Sequence, residues 1–243
     1  MKRILVHDLG RRRYGEVLEL QRELCRRRVA GEQPDDLLLL VEHEPVITLG
    51  RGTRPGSLLL PAALLEARGV ELFEVERGGD ATLHAPGQLV GYPILDLTGW
   101  RRDLHWYLRQ LEEVLIRALA QLGVTAQRNP GKTGVWTGGR DARGGLQGAR
   151  KIASIGIHVK QWVTMHGFAL NVLTDLALFD LIVPCGIQGV GMTSVARERA
   201  GDSAPATLWS DSRAAVIAAL GTVFERRMET RPGEALATGA LSP

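Results

Sequence analysis

Two β-patterned runs, KIASIGIHV from Lys151 to Val159 and VTMHGFALNV from Val163 to Val172, are separated only by Lys160 to Trp162. So short a connection predicts an antiparallel hairpin. Around it the pattern alternates. Tyr14 to Arg28 places Tyr14, Val17, Leu18, Leu24 and Cys25 on one helical face, which predicts an amphipathic helix with Cys25 packed as a small apolar side chain. Asp103 to Leu122 carries leucines at helical spacing and predicts the longest helix, covering one face of a sheet.

Leu37 to Val41, Val46 to Leu49, Val70 to Val75, Leu89 to Leu95, Val124 to Arg128 and Thr133 to Thr137 read as further strands. Pro61 to Arg68, Thr174 to Ile182 and Ser210 to Arg227 read as helices. The glycine-rich and charged stretch Gly138 to Arg150 predicts a mobile surface loop. Helices and strands are mixed without a strict βαβ rhythm, so the expected class is α+β, a mixed sheet packed with helices. One domain over residues 1–228 is expected, with 229–243 a flexible tail.

No apolar run is long enough for a membrane span, and the N-terminus lacks the apolar centre of a signal peptide. Two cysteines, Cys25 and Cys185, make neither a disulfide framework nor a zinc spacing. A reducing, cytoplasmic location is the expectation. The net charge of +3 comes from arginine clusters at Arg11 to Arg13 and Arg26 to Arg28. Such clusters make a solvated surface, a docking patch for an acidic protein, or a nucleic-acid face.

NPGKTG, Asn129 to Gly134, contains the GKT of a phosphate loop. Pro130 removes a donor and no helix follows, so nucleotide binding is not expected there. The glycines of CGIQGVG stand in the wrong order for a dinucleotide fingerprint. The six histidines offer no metal spacing, and no metal or cofactor is predicted, although His158 and His166 are placed to share a sheet face.

Lysine is scarce here, four against twenty-six arginines, and Lys151 stands in an apolar strand. Cys185 lies between Pro184 and Gly186. A cysteine needs a neighbour that favours its thiolate or takes its proton, and a lysine does either. The competing readings are a buried structural thiol and a strand-edge lysine reaching solvent. In RGGDATLH, Arg77 to His84, paired glycines let backbone N–H groups approach an acyl oxygen or line a slot, and His84 either joins the site or braces the loop.

RGGDATLHAPGQLVGYPILDL, with GKTGVW, KIASIG, HGFALNV and PCGI, resembles in order the octanoyltransferase family of lipoate biosynthesis. The resemblance implies the biotin/lipoate protein ligase-like fold and transfer of octanoyl from acyl carrier protein to a lysine of lipoyl domains. These acceptors are the lipoyl domains of 2-oxoacid dehydrogenases and the glycine cleavage H protein. It implies Cys185 as the acyl-thioester nucleophile and Lys151 as its acid/base partner. Substrate binding would fall to Arg77, Gly78, Gly79, Asp80, Ala81, Thr82, Leu83 and His84, with Ser154, Ile155, Gly156, Gly167, Phe168 and Ala169.

Under that reading Gly78 and Gly79 or the Cys185 loop would donate to the oxyanion, Gly79, Gly156 and Gly167 would leave an acyl slot open, and Arg26 to Arg28 would receive the acidic carrier. The rivals are an ATP-dependent lipoate or biotin ligase of the same fold and a basic RNA- or DNA-binding module. The arginines are not interleaved with stacking aromatics, which weighs against the second.

Overall fold

The computed structural model describes residues 2–140, 146–186, 189–199 and 206–232; of Arg140, Leu146, Cys185 and Pro232 only the backbone is considered. In chain order the elements are β1 (Arg3–Arg12), α1 (Tyr14–Val29), β2 (Asp36–His43), β3 (Val46–Leu49), α2 (Ala62–Ala67), β4 (Glu71–Glu74), β5 (Thr82–His84) and β6 (Gln88–Ile94). Then follow α3 (Leu104–Gln121), β7 (Gln127–Asn129), β8 (Lys132–Arg140), β9 (Leu146–Lys160), β10 (Val163–Asn171), β11 (Gly191–Met192), α4 (Val195–Glu198), α5 (Leu208–Phe224) and β12 (Arg227–Pro232).

The large sheet runs β12-β1-β2-β6-β10-β9-β8-β7, with β11 on the edge of β9, and a small sheet runs β4-β3-β5. β1 pairs in parallel with β2 and β12, whereas β2 to β7 along the path pair antiparallel, so the sheet is mixed as expected. One face packs against α3 and α5 through Tyr107, Leu111, Leu115, Val216 and Leu220. The other packs against α1 through Tyr14, Val17, Leu18, Leu24 and Cys25, the predicted helical face. Each helix covers the sheet by its apolar stripe, which is where most of its stability resides. Among the described residues no helix is long and apolar enough to cross a membrane.

The β9–β10 hairpin closes through Gln161 and Trp162, both at positive φ, the geometry whose twist matches paired strands. NPGKTG is also a hairpin: Asn129 pairs with Lys132 across Pro130 and Gly131, the latter at φ +75°, and the chain continues as β8. The phosphate-loop resemblance ends there.

Three expectations need correction. Much of Gly138 to Arg150 is strand, since β8 reaches Arg140 and β9 begins at Leu146; only 141–145 fall outside the described residues. Backbone pairing between two strands overrides the glycine content there. Glu229 to Pro232 belong to β12, paired with Leu5 to Asp8, so the predicted tail is strand at its start and lies outside the described residues from 233. His158 stands opposite Met165 and His166 opposite Ile157, so the register does not set the two histidines facing each other.

Candidate active site

A cavity of about 550 Å³ opens between the Arg77–Thr82 loop, the middle of β9, the middle of β10 and the β7–β8 turn. It gathers Arg77, Gly78, Gly79, Asp80, Thr82, His84, Lys151, Ser154, Ile155, Gly156, Gly167, Phe168 and Ala169 along its walls. Ala81 and Leu83 instead pack in the core of the small sheet, because alternate residues of a strand face opposite ways and Thr82 and His84 take the cavity side. Tyr14, Tyr92 and Leu108 complete the wall.

Lys151 is only 2% exposed, so the solvent-reaching reading fails. It sits inside β9, opposite Trp136 of β8 and Met192 of β11, and its carbonyl accepts from Thr193 N at 3.0 Å. Its aliphatic stem crosses Gly134, where a Cβ would lie 2.7 Å from Lys151 Cε, and its Nζ lies 5.5 Å from the Trp136 ring centroid. Gly134 (φ +111°) donates to Glu112 Oε1 at 3.2 Å. That carboxylate, 1% exposed on α3, also accepts from Arg109 and Arg128. Glu112 therefore fixes the backbone against which Lys151 is threaded.

Cys185 lies in a short turn, Pro184–Gly186, closed by Gly186 N donating to Val183 O at 3.0 Å. Gly186 adopts φ +67° and abuts Asp80, whose Oδ2 would lie 2.5 Å from an added Cβ. The turn thus stands on the Asp80 wall of the cavity that Lys151 lines. Cys25 is buried on α1, and burial pushes its thiol up, which makes it a packing residue and a poor nucleophile.

The Arg77–His84 loop is pinned by its own arginine. Arg77 donates to Thr48 through Nη2 to the carbonyl at 2.6 Å and the hydroxyl at 2.8 Å, and through Nη1 to Gly78 O at 3.1 Å. Arg51 N and Gly52 N in turn donate to Arg77 O and Gly79 O. Gly50 is a glycine of necessity, since a Cβ there would run into Gly79 O.

Two expectations about glycine fail in part, at Gly78 and at Gly156 and Gly167. Gly78 N–H donates to Ile157 O at 2.9 Å and is committed to holding loop to sheet, not offered to an oxyanion. Gly156 and Gly167 are filled by neighbours: a Cβ would lie 3.0 Å from Arg77 Cδ at the first, and 2.6 Å from Pro93 Cδ at the second. Their lack of bulk admits the Arg77 side chain at 156 and the Gly91 carbonyl at 167.

Behind the loop lies a layer of neutral histidine and tyrosine that the sequence did not announce. His43 Nε2 meets the Tyr92 hydroxyl at 2.8 Å and Nδ1 meets Arg12 O at 3.0 Å. Tyr14 stacks on His84 with ring centroids 5.9 Å apart. Burial lowers His43 to about 4, His84 to about 3 and His166 to about 4. His166 takes φ +56°, a strained setting for a histidine inside a strand, and its backbone N–H is held by Gln21 Oε1 at 2.9 Å. Gln88, Asn171 and Glu112 were also missed. Each is a polar residue amid apolar neighbours in a strand or helix, which was the available signal.

The class that this fold and site define is the lipoyl protein ligase A/B catalytic domain, whose family profile matches residues 13–215. An octanoyltransferase of Gloeobacter violaceus is 52% identical over 187 residues, covering 77% of this chain and 78% of its own. One from Rubrobacter xylanophilus is 53% identical over 187 residues, covering 76% and 79%. The bipartite lipoate protein ligase of Thermoplasma acidophilum shares the fold alone, at a TM-score of 0.69 and 16% identity over 98% of this chain and 90% of that one. The chain belongs to the lipoyl protein ligase A/B catalytic-domain family and, within it, to the octanoyltransferases, which are acyltransferases.

Proposed function

We propose that this octanoyltransferase takes octanoyl from the thioester of acyl carrier protein and gives it to the lysine amine of a lipoyl domain through an acyl-Cys185 intermediate. The acceptors would be the lipoyl domains of 2-oxoacid dehydrogenases and the glycine cleavage H protein. The observation that carries the reading is a buried lysine, Lys151, on the same cavity that the Cys185 turn borders.

In the first half, Lys151 Nζ accepts the Cys185 thiol proton, and the thiolate adds to the thioester carbonyl. Collapse expels the carrier thiolate, which recovers the proton from Lys151. In the second half, the acceptor amine adds to acyl-Cys185, Lys151 accepts a proton from the amine, and the Cys185 thiolate leaves and is reprotonated. One thioester bond is exchanged for another, then for an amide. The greater stability of the amide drives the sequence, so no nucleotide enters.

Leu108, Ile155, Ile157 and Phe168 give the cavity an apolar lining for the chain. Burying its methylenes at about 0.8 kcal/mol each supplies roughly 5 kcal/mol, as an upper value. The 52% identity to an octanoyltransferase over 77% of this chain supports transfer over ATP-dependent ligation. Mass spectrometry after mixing with octanoyl-acyl carrier protein is the test. An octanoyl adduct on Cys185 is expected, and normal transfer by Cys185→Ser would refute the mechanism.

A further inference from the structure

His84 is tied to Lys151 by buried hydrogen bonds whose directions are fixed by backbone carbonyls. Thr193 O can only accept, so the Asn171 group facing it at 2.9 Å is the amide NH₂. Asn171 Oδ1 therefore points the other way and meets Gln88 Nε2 at 2.9 Å. The second Gln88 N–H goes to Leu83 O at 3.2 Å, so both amide donors are occupied. Gln88 Oε1 is then the atom facing His84 Nδ1 at 2.8 Å, and that nitrogen must carry the proton. Thr193 N closes the line by donating to Lys151 O.

We propose that Gln88 and Asn171 are positioning residues that lock His84 as its Nδ1–H tautomer, so that Nε2 offers the cavity a lone pair and accepts an N–H of the substrate. His84 lines the cavity with Nδ1 turned inward, which leaves Nε2 as the nitrogen that a ligand meets. A lone pair there repels a developing oxyanion, so His84 recognises a donor and does not belong to the oxyanion hole. Its surroundings oppose a charged ring, since burial strips an imidazolium of water and the Arg77 guanidinium lies near it. The N–H comes either from an amide of the donor's carrier arm or from the acceptor lysine. That assignment rests on the proposed transfer, whereas the tautomer does not.

The test is ring-nitrogen NMR of the full chain labelled with ¹⁵N-histidine, with His84→Gln to assign the signal. Nδ1 in the protonated range and Nε2 in the unprotonated range are expected at neutral pH, and the reverse overturns the proposal. Gln88→Met keeps the length and removes all three hydrogen bonds. It should shift His84 toward the Nε2–H form and raise one KM roughly tenfold while changing kcat less. A rise for the carrier thioester assigns the N–H to the donor, and a rise for the lipoyl domain assigns it to the lysine. A folded Gln88→Met with the tautomer and both KM values unchanged refutes the positioning role. Should that variant not fold, the wild-type tautomer still decides. Failure to find acyl-Cys185 would sink the transfer mechanism and leave the NMR result standing.

Discussion

The cations of the N-terminal helix and those of the cavity obey different physics. On α1, Arg26 is exposed and bonded to Glu23 and Glu32, while Arg22 is bonded to Glu19 and Glu76. Such surface pairs contribute little and are screened by salt. Arg77 and Lys151 are buried, and their surroundings are built around them. A run of arginines in a sequence draws the eye, yet here the buried Arg77 and Lys151 do the shaping. The expected carrier-docking role of Arg26 to Arg28 loses force for the same reason, since Arg26 and Arg28 already have acidic partners in their own chain.

The sharpest way to break this contrast is at Lys151. Lys151→Met should lower transfer by about 10²–10⁴, the range of a lost acid/base group, in a variant that urea denaturation shows to be folded. A variant that loses activity only by unfolding would show that Lys151 is structural. Next is Arg77→Ala, which strands the Thr48 carbonyl and frees the loop. A loss of about 2–4 kcal/mol by urea denaturation is expected, together with a rise in KM for the donor.

Acid should erode the cavity layer first. His43, His84 and His166 have lowered values in the fold, near about 4, 3 and 4, against an ordinary 6.5. Unfolded chain binds protons that folded chain refuses, so their contribution is complete above pH 6.5 and is lost as pH falls toward 4. Near pH 5 the difference approaches three protons, a slope of about 4 kcal/mol per pH unit. Urea titrations at pH 7, 6 and 5 measure it, and a flat profile would mean that the histidines are not sealed from water. The smallest effect is expected from Arg26→Gln, with KM for the carrier unchanged within roughly twofold, as for a screened surface charge. A large rise would restore the docking patch.

What could be read from the sequence followed from periodicity. α1, α3 and the β9–β10 hairpin carry patterns of 3.6 or 2 strong enough to stand alone. β1 and β12 were not read, because RILVHDLGRR and RMETRP carry exposed arginines and hold their places by pairing with each other at the sheet edge. In the site, Lys151 was legible through the scarcity of lysine and the apolar run around it. The fate of the Gly78 N–H was not, because its partner Ile157 lies far along the chain and only the fold brings it near. Likewise the glycines at 156 and 167 announced small size, and only the neighbours reveal what that size admits.

β10 leaves the edge of β9 after pairing with Ala153, and β11 takes over that edge at Lys151 and Arg150. The segment bearing Cys185 departs from one strand at Ala153 and returns to it at Lys151 and Arg150, its two footholds. Measured along the chain the two residues are remote, but the tether is only the stretch between these footholds. Its closure entropy is thus met once, by the sheet, on folding, and not again at each turnover. Inserting residues between Gly186 and Gly191 would lengthen the tether and dilute the thiol around the amine, lowering the rate of acylation while the cavity and its acyl preference stay as they are.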